Sequence, residues 1–268
     1  MLCVGALPFI FCAHAYAGEE RLRVTGDGLW EEYKKPVGLT YNAQARIQTS
    51  YLWRGLYCGA ANIQASANVG YGGLYLDMWW NIGVTDWTFK TFQPEVDFSL
   101  GFSRWGLDVY LLYIYNFECG FFNFDAYPAN GGAGNRLELN VRYTLSPKIP
   151  ISFLWASRIA ASDHYTVERV TDEGLVTDTI RAYSSYAEIS YTQKLPDGWS
   201  IYGAIGMTPW RSCYNPRGAA LQNIEVRLRK DWAVSERCGM MVQGQAAVNP
   251  MAEMNVINLN LTFGVYLK

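Results

Sequence analysis

The 268 residues carry 22 Lys or Arg against 24 Asp or Glu, a formal net charge of −2, which gives no electrostatic reason for a nucleic-acid partner or a polybasic membrane contact. Half of the residues are hydrophobic, 15% are aromatic and 17% are charged, richer in Tyr and Trp than a soluble domain of this size needs. Past the N-terminal residues no apolar run approaches the roughly 18 residues of a spanning helix, the best being Val109 to Tyr115, and this excludes a helical membrane protein.

In chain order, the apolar run from Leu2 to Cys12 is followed by Ala15-Tyr16-Ala17, small residues at the spacing that signal peptidase accepts. Residues 1–17 are therefore expected to be a signal peptide, although no Lys or Arg precedes the apolar run. Residues 18–38 have mixed charge and no clean period, and are expected to be an irregular periplasmic segment. From Leu39 onward the sequence alternates. Leu39, Tyr41, Ala43, Ala45, Ile47, Thr49, Tyr51 and Trp53 fall on one face, and Thr40, Asn42, Gln44, Arg46, Gln48 and Ser50 on the other. That is the period of a strand.

The same pattern predicts eleven further strands near 61–71, 74–82, 91–103, 105–117, 136–146, 149–159, 180–192, 199–208, 221–231, 236–248 and 255–267. Most have about the 9 to 11 residues of a tilted bilayer-crossing strand. Short joins, such as Gly72-Gly73, Pro147-Lys148 and Leu195 to Gly198, take turns with longer ones near 54–60, 83–90, 118–135, 160–179, 209–220 and 249–254. This is the asymmetry of tight periplasmic turns against longer external loops. The expected fold for residues 39–268 is an all-β, antiparallel up-and-down transmembrane barrel of about twelve strands, in contact with outer-membrane lipid.

A soluble barrel of lipocalin type alternates equally well. Three features favour the membrane: the strand number, the secretion signal, and aromatic residues near strand ends. Tyr51, Trp53, Trp80, Phe92, Trp105, Tyr115, Phe117, Tyr143, Trp199 and Phe263 fit girdles at the two interfaces. With the apolar face toward lipid, the interior receives Asp77, Glu95, Asp97 and Asp108 on the third to fifth strands. It receives Arg227, Arg229, Arg237 and Arg46 on the tenth, eleventh and first, with Glu225 as the exception. An acidic wall facing a basic wall would orient polar solutes in a lumen. The alternative is that these charges, with Arg136, Glu138, Arg142, Arg158 and Glu188, neutralise one another inside a narrow barrel.

Chemistry finds little to work with. After residue 17 the one histidine is His164, beside Ser162 and Asp163 in an expected loop, and adjacent residues do not supply the geometry of a hydrolase. No catalytic residue, metal ligand or cofactor is expected. Cys58, Cys119 and Cys213 fall in expected external loops without a CxxC pair, where either a bridge or free thiols fit. Cys238 reads as a small apolar side chain.

The run Tyr51-Leu52-Trp53-Arg54-Gly55 resembles the Tyr-x-Trp-Arg-Gly signature of the TorF-like family of outer-membrane porins. In that family the motif also comes early and precedes repeated aromatic strands. The resemblance implies a bacterial outer-membrane porin passing small polar solutes. In this reading Trp53 lies at the outer interface and Arg54 at the lumen mouth or against the first loop. The last strand, Asn255 to Lys268 with Phe263, Gly264 and Tyr266, resembles the terminal strand read by the barrel-assembly machinery, although it ends on Lys268. A closed barrel serving as scaffold, or as a surface binder through loops 118–135 and 160–179, is the alternative function.

Overall fold

A computed structural model describes residues 38–84, 94–117, 120–124, 134–146, 148–161, 163–171, 174–215, 217–251 and 257–267. The expected signal peptide, nearly all of the expected periplasmic segment, Phe92 and Cys119 lie outside the described residues. Twelve strands close into one antiparallel barrel. In chain order its wall strands are β1 (Leu39–Gln48), β4 (Asn62–Tyr71), β5 (Leu74–Gly83), β6 (Glu95–Arg104), β7 (Leu107–Asn116) and β8 (Arg136–Thr144). They continue with β9 (Ile151–Ala161), β12 (Ser185–Lys194), β13 (Trp199–Thr208), β14 (Ala220–Ala233), β15 (Cys238–Val248) and β16 (Ile257–Leu267). Each wall strand pairs with the wall strand before and after it, and β1 pairs with both β4 and β16 to shut the cylinder.

Side-chain polarity is inverted relative to a soluble barrel. Gln44, Gln64, Asp77, Ser99, Glu138, Asn140 and Thr262 are buried, whereas Leu39, Leu76, Leu100, Ile189, Val226 and Leu259 are exposed. An apolar exterior of this extent is unstable in water and matches a bilayer. The lipocalin-type reading is thereby excluded. Tyr41, Tyr71, Trp105, Tyr143, Trp199 and Trp232 are exposed near the rim of short turns, where amphipathic rings favour an interface. That rim owes its tightness to two-residue turns at Gly72-Gly73 (φ 61° and 98°) and Trp105-Gly106 (φ 56° and 78°), whose positive φ at both positions matches the twist of the flanking strands.

Tyrosines lie across glycines on neighbouring strands inside the wall. A Cβ on Gly101 would sit 2.2 Å from the hydroxyl of Tyr75, its register partner, and that hydroxyl donates to Asp108 Oδ1 at 2.7 Å. Gly101→Val is accordingly expected to lower stability by about 2 kcal/mol through overpacking. Urea unfolding in detergent followed by tryptophan fluorescence checks this; an unchanged midpoint would contradict the packing described.

Two hairpins are additional to the wall. The first, β2 (Tyr51–Trp53) with β3 (Leu56–Gly59), connects β1 to β4. The second, β10 (His164–Thr171) with β11 (Gly174–Arg181), connects β9 to β12. The second corrects the sequence reading, which made 160–179 a loop and began the next wall strand at 180. Thr, Val and Ile give β10 and β11 strand propensity, but neither of their faces is uniformly apolar, so the bilayer pattern stops while local pairing continues.

At the base of this second hairpin the buried Asp163 carboxylate accepts hydrogen bonds from Ser184 N at 2.7 Å and Ser184 Oγ at 2.5 Å. Asp163 is thus committed to holding the hairpin, and its neighbour His164 is exposed. Asp163→Ala is expected to free the hairpin while the barrel stays folded, at a cost of about 2 kcal/mol for the buried partners lost. Limited trypsin digestion should then cut at Arg169 or Arg181 at least about tenfold faster. Equal cutting rates in the two proteins would show that Asp163 does not hold the base.

Candidate functional site

The first hairpin turns into the barrel. Thr49 N donates to Leu261 O at 3.0 Å and Ser50 Oγ to Leu259 O at 3.1 Å, so the chain stays on β16 to this point. It then leaves the wall, and Tyr51, Leu52 and Trp53 are all buried. Tyr51 and Trp53 are therefore interior residues and do not belong to the aromatic girdle, contrary to the reading from the sequence. Interior apolar side chains explain the direction. Trp79 of β5, Leu112 and Ile114 of β7, and Leu154 of β9 form one buried cluster with Tyr51, Trp53 and Tyr214. Tyr51 lies 5.6 Å from the ring of Trp79, and its hydroxyl donates to Glu95 Oε1 at 2.8 Å.

Arg54 and Gly55 form the two-residue tip, with φ of 49° and 77° and Trp53 paired to Leu56. This is the geometry that requires positive φ at both positions. The tip reaches wall strands that are not its neighbours. Arg54 Nη1 lies 2.9 Å from Glu138 Oε2 and donates to the Tyr214 hydroxyl at 2.9 Å. Its Nη2 donates to Asn140 Oδ1 at 3.1 Å. The guanidinium stands 4.4 Å from the Trp53 ring and 5.0 Å from that of Tyr186. On β14, Gln222 Nε2 donates to the Arg54 carbonyl at 2.8 Å.

Two irregularities of the wall aim these partners inward. The β13–β14 register steps from Gly206–Asn223 to Met207–Leu221, leaving Gln222 as an extra residue, and both Gln222 and Asn223 are buried. The β8–β9 register steps beside Glu138 and Arg158, with Ile159 extra. Such bulges re-aim a side chain without ending the ladder. Arg158 Nε then lies 3.5 Å from Glu138 Oε1, and Tyr214, from the loop after β13, donates to the same oxygen at 3.4 Å. Burial first, then the Glu138 charge, raises the Tyr214 phenol above its ordinary value, so it stays neutral and able to donate.

The other charges expected in the lumen are distributed differently from two facing walls. Asp77, Asp97 and Asp108 are buried on the polar face, and Asn68 Nδ2 donates to Asp77 Oδ1 at 2.7 Å. The register sets Arg142 of β8 directly opposite Asp108 of β7, so acid and base stand on adjacent strands. Arg46 Nε donates to Gln64 Oε1 at 2.9 Å. Arg227 pairs with Glu225 of its own strand and lies 4.7 Å from the Tyr202 ring. Arg229 grips Asp231 through Nε at 2.8 Å and Nη2 at 2.9 Å. Arg237 is exposed in the turn before β15, a correction to its assignment as a lumen residue.

Among the described residues no group of three His, Cys, Asp or Glu is placed to hold a metal ion. Cys58, Cys213 and Cys238 are free thiols. Asn140, Tyr214 and Gln222, which join the wall to Arg54, carried no sequence signal, since each lies far along the chain from the tip.

An apolar exterior, a polar interior and a hairpin folded into that interior define a transmembrane β-barrel of the outer-membrane type with a partly filled lumen. No protein-family model matches the chain, and no curated protein matches its sequence. Among solved structures it is similar to an outer membrane channel from Pseudomonas putida F1, at 12% identity and a TM-score of 0.44 over 87% of this chain and 96% of that one. It is also similar to the NanC porin, at 10% identity and a TM-score of 0.43 over 85% and 100%. The P. putida toluene transporter TodX gives 8% identity and a TM-score of 0.37 over 87% and 89%.

Proposed function

We propose that the chain is a bacterial outer-membrane channel for small polar solutes, narrowed by the β2–β3 hairpin. The observation that carries this reading is the interior itself. A barrel serving only as a wall has no need of buried Gln, Asn, Asp and Arg along its inner face, and twelve strands exceed the eight whose side chains fill the space unaided. The Tyr-x-Trp-Arg-Gly run at Tyr51 to Gly55 is what supports a likeness to the TorF-like porins. Lipid on the apolar face and the barrel-assembly machinery acting on β16 are the partners this reading carries.

Single-channel recording of the purified, folded protein in planar bilayers tests it. Discrete conductance steps are expected, and their absence across preparations would reject an open channel. In that event the β10–β11 hairpin, with Val170 and Leu175 exposed at its end, favours the second reading, a closed barrel that binds a surface partner. Deleting that hairpin would then abolish binding and leave the barrel intact.

A further inference from the structure

One row of residues runs around the inner wall beneath the hairpin. The registers place Trp79 of β5 beside Asp97 of β6, Asp97 beside Ile114 of β7, and Ile114 beside Arg136 of β8. All four are buried, Asp97 at 5% and Arg136 at 6% exposure. The two opposite charges are two strands apart, about 10 Å along the wall at the usual strand spacing, with an apolar side chain between them. They form no ion pair with each other or with another described residue.

Their polar atoms are left over as well. Asp97 Oδ1, Arg136 Nε, Trp79 Nε1 and the Ser99 hydroxyl are buried and have no hydrogen-bond partner among the described residues. Burying a carboxylate and a guanidinium without pairing either is costly, and such cost is concentrated where a ligand completes the set. The hairpin roofs both ends of the row. Tyr51 packs on Trp79, and the Trp53 ring stands 5.0 Å from the Arg136 guanidinium.

We propose that this row is a binding subsite for a small zwitterion carrying a separated ammonium and carboxylate. The ammonium meets Asp97, whose unpartnered Oδ1 accepts a charge-assisted hydrogen bond. The carboxylate meets Arg136, whose planar fork matches it bidentately. Ile114 lies under the methylene chain between. The subsite deepens the channel reading by naming the class of solute that pauses at the narrowing.

The test uses the full chain folded in detergent micelles, titrated with 6-aminohexanoate, hexanoate and hexylammonium by calorimetry and by tryptophan fluorescence. Saturable binding of 6-aminohexanoate is expected, about tenfold tighter than either one-charge analogue, the size of one charge-assisted hydrogen bond. Asp97→Asn should remove its advantage over hexanoate, and Arg136→Gln its advantage over hexylammonium. Equal affinities for the three probes, or no saturable binding, overturns the proposal, and this comparison needs no variant to fold. Conductance without this binding would reject the subsite alone, whereas binding without conductance would reject the channel alone.

Discussion

Arg54→Ala is expected to destabilise the folded barrel by about 3 kcal/mol and to raise its unit conductance severalfold. The side chain joins Glu138, Asn140 and Tyr214 at distances of 2.9 to 3.1 Å. Removing it leaves Glu138, 1% exposed, with Arg158 at 3.5 Å as its remaining ion-pair partner among the described residues. Taking one partner from a buried ion pair costs roughly 3–5 kcal/mol, because the other charge stays buried. The lower end of that range applies here since Arg158 remains. Arg54→Lys should recover only part of the loss, because an ammonium cannot fork between Glu138 and Asn140 while lying flat against Trp53. Urea unfolding in detergent reads the stability, and bilayer recording reads the conductance. A loss below about 0.5 kcal/mol, the usual size of a surface substitution, would show that Arg54 does not fasten the hairpin to the wall.

Gly55→Ala is expected to act on the same hairpin through the backbone, at a cost of about 3 kcal/mol. A Cβ at this position would lie 2.2 Å from the carbonyl oxygen of Gln222 and 3.1 Å from the Cα of Asn223. Those are wall atoms that cannot rotate away, and φ of 77° already disfavours any side chain. The tip must therefore withdraw, which also stretches the bond from Gln222 Nε2 to the Arg54 carbonyl. Gly83→Ala is the control, since a Cβ there meets nothing within 4 Å. Hydrogen exchange across residues 51–59 should accelerate in the Gly55 variant and remain unchanged in the Gly83 variant. Continued protection in the Gly55 variant would mean that the tip does not seat against β14.

Strand positions were legible because each wall strand separates lipid from lumen, and that separation imposes period two on every one of them. Tyr51 to Trp53 escaped the same logic. Leaving the wall after Ser50 does not interrupt the alternation, and aromatic side chains suit an interface and an aromatic interior equally well. The interior pairs divide by distance along the chain. Glu225 with Arg227, and Arg229 with Asp231, stand two residues apart and so share a face, a spacing that announces neutralisation within one strand. The alternative of neutralised charges is the one these two pairs follow. Arg54 and Glu138 are joined only by closure of the barrel and by a bulge, neither of which leaves a local mark in the sequence.

The shared use of β1 has a consequence for the order of assembly. This strand feeds the inward hairpin at one end, and along its length it forms the seam with β16. The filling of the lumen thus belongs to residues made early, and the last strand shuts the cylinder around them. A closed empty ring would have to admit Tyr51 and Trp53 past its own rim. An open sheet can curl around them with no such passage.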